Sequence, residues 1–327
     1  MKKLNISHIS HGIAPTGGFR HEQFLLQQLS SFFKNNNIET EEKTIRANRF
    51  FSGIAQLKLL LWSFKNSTAN INIVVARTAL SAILRNLFNQ NKIIIVLHYF
   101  DERDGKNLAL KYYYAFLFFI LKNGNFKNIS IVAVAPFWVT YFENKVNKNV
   151  PIFLFPNFFE IKKYASYQVQ QKQKQIHLGQ YSFKNSKHIF ELAKQLMDLG
   201  YRCYFSTMIK EEVGQFDGYE VVFEDYETYL HNMAQSQYTL TFIGINEGWN
   251  RVAHESILVG TTLIGNDAGG LGDLIKESGS LLANDAEQFK QNILNQHQSV
   301  INKNFIERYD VNNTTSFLQP IIDFILR

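Results

Sequence analysis

GINEGWNRVAHESILVGTTLIGNDAGGLGD, residues 244–273, is the stretch whose reading decides the fold. An apolar run before it, Tyr238–Ile243, reads as a strand. A helix is expected over Trp249–Val259, ending at Gly260, and a second strand over Thr262–Gly265. Strand, glycine turn, helix and strand form the repeating unit of a parallel sheet. Glu247 stands just after the first strand, and Glu255 stands eight residues on, within the helix. Gly248 between them lets a backbone come close to a ligand. The helix start at Trp249–Asn250 offers backbone N–H groups and the positive end of a dipole, which suits a pyrophosphate. Eight helical residues rise about 12 Å, so two carboxylates at this spacing can each hold hydroxyls at opposite ends of one extended ligand. A Glu pair alone would read as solvated helix charge. The glycine loops and strands around this one argue for a site.

Working outward, the same alternation recurs. Strands are expected at Leu4–Ile9, Ile71–Ala76, Ile93–His98, Ile129–Ala135 and Pro151–Phe155. The run IIIVLH reads as buried on both faces. Helices are expected at Phe19–Phe33 and Thr78–Phe88, with another opened by Pro136. Glu160–Gln175 is Gln- and Lys-rich and reads as an exposed linker. Beyond it come strands at Ile176–Leu178, Arg202–Ser206 and Tyr219–Phe223, a helix at Ser186–Leu199, and an apolar tail at Ser316–Leu326. Lys34–Asn37 and Lys303–Asp310 read as solvated surface. The pattern predicts an α/β protein of two Rossmann-like domains facing each other across a cleft, residues 1–157 and 158–327, with ligands at the carboxyl ends of strands.

Composition narrows the classes. The chain has 327 residues, 46% hydrophobic and 19% charged, so it is globular and not disordered. A single cysteine, Cys203, excludes an internal disulfide and points to a reducing, cytoplasmic setting. The net charge of +6 suits anionic substrates or an anionic membrane surface. Zinc-finger, helix-turn-helix and RNA-recognition signatures are missing, so nucleic acid is not the expected partner. Leu108–Leu121 (LALKYYYAFLFFIL) falls short of the ~18 apolar residues a membrane span needs. It reads either as a core helix or as a helix with one face on the inner leaflet, ringed by Lys106, Lys111, Lys122 and Lys127.

The spacing from Glu247 to Glu255, in EGWNRVAHESILVGTTLIG, resembles the donor motif of retaining GT-B glycosyltransferases of the glycogen-synthase-like group, family GT4. Gly17-Gly18 in APTGGFRHEQ resembles that family's N-terminal glycine loop, and Pro156-Asn157 its hinge element, with Phe158 where a glycine is usual. The segment IHLGQYSFKNSKHIFELAKQL resembles the opening of its C-terminal domain. The resemblance implies transfer of a sugar from a nucleotide-sugar donor to a glycan or lipid-linked acceptor, with retention and without a bound metal or other cofactor. It places such chemistry in bacterial surface polysaccharide or lipopolysaccharide synthesis.

Roles follow from it residue by residue. Glu247 would hold the donor sugar and Glu255 the ribose, with Gly17, Gly18, Asn246, Gly248, Trp249 and Asn250 around the diphosphate. His98 would lie near the reacting sugar, with His11, Asp101 and Glu102 toward the acceptor; His21 reads as helix surface. The family's usual Arg and Lys, which neutralise the leaving diphosphate, are replaced here by Gln180 and Asn185. Either Lys184 or Lys187 substitutes, or donor affinity is low, or the chain is a non-catalytic GT-B protein that binds a glycan or a partner transferase. The last helix of such folds often crosses back to the first domain, which is the expectation for the apolar tail.

Overall fold

Runs of Ile and Val with no polar alternation build the first sheet, because a parallel strand covered on both faces has no solvent side to make polar. The structure, a computed structural model, describes residues 4–10, 17–46, 54–89, 91–98 and 108–327. The chain divides into two compact units, Met1–Pro156 with Thr315–Arg327, and Asn157–Thr314.

The first unit alternates β1 (Leu4–Ser10), α1 (Gly17–Asn35), β2 (Thr40–Arg46), α2 (Ile54–Asn66), β3 (Ile71–Val75), α3 (Ala76–Arg85), β4 (Lys92–Leu97), α4 (Leu108–Asn123), β5 (Ile129–Ala133), α5 (Pro136–Glu143) and β6 (Ile152–Leu154). Its sheet has the order β2-β1-β3-β4-β5-β6, and every neighbouring pair is parallel. The register sets Ile73 beside Ile94 and Ile95 beside Ile131, all buried. With the right-handed crossovers that parallel strands require, this order puts α2, α3, α4 and α5 on one face of the sheet and α1 on the other.

The second unit runs through α6 (Ile161–Ala165), β7 (Gln173–Gln180), α7 (His188–Asp198), β8 (Arg202–Thr207), β9 (Gly214–Phe216), β10 (Tyr219–Phe223), α8 (Tyr226–Gln235), β11 (Ser236–Thr241), α9 (Arg251–Leu258), β12 (Thr262–Gly265), α10 (Gly270–Ser278), β13 (Leu281–Leu282), α11 (Ala286–Leu294) and α12 (Lys303–Arg308). Its sheet order is β13-β12-β11-β7-β8-β10-β9, parallel except for the β9–β10 edge. In α7 the buried residues Ile189, Leu192, Ala193 and Leu196 recur at helical spacing and close on Phe205, Leu240 and Ile264. The last helix, α13 (Thr315–Leu326), belongs to the first unit, where Phe324 meets Phe153 of β6.

Two surface readings are corrected. Glu160–Gln175 is not a free linker. It holds α6, whose Tyr164 is buried with Phe159, Leu230, Met233 and Leu258, and Gln168 donates to the Leu258 carbonyl. Most of its glutamines and lysines face water, but Gln175 is buried and a few aromatics anchor the other side. Lys303–Asp310 likewise carries α12, whose Phe305 is buried, with Tyr309 buried just beyond it.

Candidate functional site

Three loops meet at the carboxyl ends of adjacent strands in the second unit. The β7–α7 loop is joined to the loop after β11 by Ser186 N–H to the Phe242 carbonyl and Gly244 N–H to the Lys184 carbonyl, both 2.8 Å. Asn266, after β12, accepts from Ile243 N–H and donates to the Ile243 carbonyl, again at 2.8 Å. The loop before α10 then clamps Glu247. Its N–H donates to the Ala268 carbonyl at 3.1 Å, and its carbonyl accepts from Gly270 N–H at 3.0 Å. Gly269 makes this possible with φ 62° and ψ −130°. A Cβ there would lie 2.8 Å from the Glu247 carbonyl oxygen.

Glu247 is only 7% exposed, so its charge needs partners. Lys184 Nζ donates to both of its oxygens, at 2.9 and 3.0 Å, and Gly248 N–H donates to one of them at 3.0 Å. Lys184 thus sits beside the first glutamate of the motif. Lys187 is exposed at the start of α7, Gln180 is exposed at the end of β7, and Asn246 is exposed next to Glu247. Asn185 does not reach outward: its side-chain oxygen accepts from Ser182 N–H at 2.7 Å.

Glu255 occupies a different environment. It is 3% exposed. One oxygen accepts from Tyr226 Oη at 2.8 Å and Arg251 Nη2 at 3.1 Å, and the other from Tyr229 Oη at 3.1 Å. Tyr226 Oη also lies 2.6 Å from Tyr164 Oη. Burial pushes both Glu255-bound tyrosine hydroxyls up, and the neighbouring carboxylate pushes them further, so both stay protonated donors. Burial works against the charge on Arg251, but Glu255 and the neighbouring groups together offset it and the net shift is upward. A carboxylate has about four lone-pair sites; three are used here.

The helix that begins the motif differs in detail from the sequence reading. Asn250 is the cap of α9, and its side chain accepts from Ala253 N–H at 2.9 Å, so one of the expected N–H groups is already satisfied. Trp249 is a buried anchor: its Nε1–H donates to His254 Nδ1 at 3.0 Å, and its ring packs on Phe305 and Tyr309. Burial, helped by Arg251, lowers the His254 pKa well below the usual range, so the ring is neutral with its proton on Nε2.

In the first unit, α1 begins at Gly17-Gly18, and a Cβ on Gly18 would lie 3.1 Å from the His98 ring. His98 Nε2 lies 2.9 Å from one oxygen of Glu22, and His8 Nε2 lies 2.7 Å from the other. Gln23 Nε2 lies 3.3 Å from His8 Nδ1. Burial alone would raise the Glu22 carboxyl. The hydrogen bonds and charges of His8 and His98 more than offset it and hold the pKa at about 2. His21, read as helix surface, is instead buried, with Nε2 2.6 Å from the Phe155 carbonyl. The expected His11, Asp101 and Glu102 lie outside the described residues. Among the described residues no group of three His, Cys, Asp or Glu could hold a metal ion. Sequence reasoning missed Glu22, Tyr226, Tyr229 and Arg251. Only Arg251 carried a local signal, four residues before Glu255 on one helix face.

No family model matches the sequence, and no curated protein matches it. Solved structures do. Anabaena HepE, crystallised with UDP-glucose, is 11% identical over 98% of this chain and 99% of its own, with a TM-score of 0.68. A sucrose-phosphate synthase from Thermosynechococcus elongatus is 14% identical over 99% of both chains, with a TM-score of 0.66. The lipopolysaccharide outer core galactosyltransferase WaaB is 13% identical over 99% of both chains, with a TM-score of 0.62. At such identities a likeness speaks for architecture alone, and with two parallel-sheet units matched nearly end to end, this chain has the fold of the GT-B glycosyltransferases.

Proposed function

We propose that the protein transfers a hexosyl group from a nucleotide-sugar to a glycan or lipid-linked acceptor with retention, in cell-surface polysaccharide or lipopolysaccharide synthesis at a membrane's inner face. The observation that carries the reading is Glu247: a nearly buried carboxylate at the end of β11, clamped by the loop before α10 and met by Lys184. A sugar hydroxyl beside Glu247 would be oriented by a fixed acceptor, and the departing diphosphate would meet Lys184, Lys187 and backbone N–H groups, with no metal in the scheme. Stabilising that leaving charge is the main catalytic term. Glu255 has one lone-pair site left for a ribose hydroxyl, on the oxygen that Tyr229 shares. His98, held by Glu22, serves the reacting sugar. HepE's crystals with UDP-glucose support a nucleotide-sugar as the donor.

The test is to measure donor turnover and the nucleoside diphosphate Kd for wild type, Glu247→Ala and Lys184→Met, and the product anomer by NMR. Glu247→Ala should cost turnover most; Lys184→Met should raise the Kd on the order of tenfold, as expected for a lost charge-assisted hydrogen bond. Full turnover in Glu247→Ala, or an inverted product, overturns the reading. The fold of Asn185 into its own loop favours a second reading, a non-catalytic GT-B protein. A ligand at 100 times its Kd stabilises by about 2.7 kcal/mol, and no thermal shift with any nucleotide would favour that second reading.

A further inference from the structure

Among the described residues no helix is long and apolar enough to cross a membrane. The helices on one face of the first sheet are nevertheless unusual. Together α2, α3 and α4 carry Lys58, Lys65, Arg77, Arg85, Lys111 and Lys122, and not one Asp or Glu. They lie side by side: the Arg85 guanidinium of α3 covers the Phe64 ring of α2, and Tyr113 of α4 donates to the Ala76 carbonyl at the start of α3.

The same layer leaves large apolar side chains in water. Leu108, Tyr112, Phe116 and Phe119 form a stripe along α4 at helical spacing, with Tyr112 69% and Phe119 62% exposed. The stripe is about 16 Å long at 1.5 Å per residue. Phe88, just after α3, is 98% exposed. Scattered single hydrophobics need no explanation, but an aromatic stripe beside three helices without an acidic residue does.

We infer that the outer face of α2, α3 and α4 seats the first unit on an anionic lipid surface, with the α4 stripe entering the headgroup boundary and the surrounding lysines and arginines meeting lipid phosphates. Aromatic residues favour the membrane interface, and basic side chains near it are each drawn to anionic lipid. A second copy of the chain is a poor occupant, because a two-fold contact through this face would set six cations against six. Protein interfaces are also depleted in lysine. The inference deepens the membrane part of the proposed function and rests on that part alone, not on the transfer reaction.

The experiment is vesicle flotation with mixed phosphatidylglycerol–phosphatidylcholine and with pure phosphatidylcholine. The wild type should float with the anionic vesicles, stay behind with the neutral ones, and be released as salt rises. Two variants test the two components: Lys111→Gln with Lys122→Gln, and Tyr112→Ser with Phe116→Ser and Phe119→Ser. Removing one lysine should weaken partitioning about fivefold, so each variant should lose most of its flotation. Failure of the wild type to float, equal flotation with neutral vesicles, flotation unchanged in both variants, or a salt-insensitive dimer through this face would overturn the inference. Transfer to a water-soluble acceptor, measured without vesicles, separates the two readings. Transfer that persists without flotation removes only the docking surface, and flotation without transfer leaves it standing.

Discussion

Glu22 is the place where one substitution should report most clearly on how the first unit is held together. It is buried, and its two oxygens are shared by His8 and His98. Replacing it by Gln keeps the shape and removes the charge. Burial opposes ionisation, yet the two histidines bring the carboxyl down from 4.5 to about 2. At about 1.4 kcal/mol per tenfold, that difference corresponds to about 3 kcal/mol of stability at neutral pH. The folded value lies below the unfolded one. The stabilisation is therefore complete above about pH 4.5, shrinks as the pH falls, and is gone below about pH 2. Urea unfolding of wild type and Glu22→Gln at steps from pH 7 to pH 3 measures this. The expected result is a gap of about 3 kcal/mol near neutrality that narrows in acid. A gap that stays constant over the series would refute the argument, because it would trace the loss to shape rather than to the ionised carboxylate. A donor-turnover assay on the same variant adds the functional half: loosening His98 should lower turnover more than donor affinity.

Around Glu255, Tyr226→Phe should lower stability by about 1–3 kcal/mol in thermal melts, since a buried carboxylate loses a donor. Glu255→Ala should cost more, about 2–4 kcal/mol after allowing for the partial exposure of Arg251, because it strands that charge. Glu255→Gln is then the cleaner variant for donor binding, and equal melts for the Ala and Gln variants would count against the cage. Gly269→Ala should destabilise by about 2–3 kcal/mol, because the new Cβ meets the Glu247 backbone and φ is 62°. Calorimetry and turnover should both fall; wild-type turnover would mean that the clamp on Glu247 does not matter.

What the sequence discloses depends on how local the physics is. Strands such as IIIVLH are legible because burial on both faces writes an unbroken apolar run. The strand–turn–helix around Glu247 is legible for the same reason: its pieces are contiguous. The short edges β9 and β13 are not, since three and two residues cannot establish a period. Helix α10 is hidden because GGLGD reads as a loop, although Gly269 is there to permit the turn that clamps Glu247. Trp249 looks like part of a phosphate loop until Phe305 and Tyr309, more than fifty residues on, show it to be an anchor.

The two glutamates make the limit concrete. By spacing alone they are equivalent carboxylates on one motif, and each invites the same role. Their partners come from elsewhere in the chain: Lys184 from the loop after β7 for Glu247, and Tyr226 and Tyr229 from α8 for Glu255. A single lysine on a loop can be drawn away by a phosphate, because the phosphate replaces the charge the carboxylate supplied. Two protonated tyrosines and a guanidinium around Glu255 cannot be exchanged so cheaply, since leaving them would strand three half-buried groups at once. Under the proposed function, Glu247 would therefore be the carboxylate whose surroundings change during transfer, and Glu255 the one that stays fixed while the donor comes to it. That asymmetry is invisible in the motif and follows directly from which side chains the fold delivers to each oxygen.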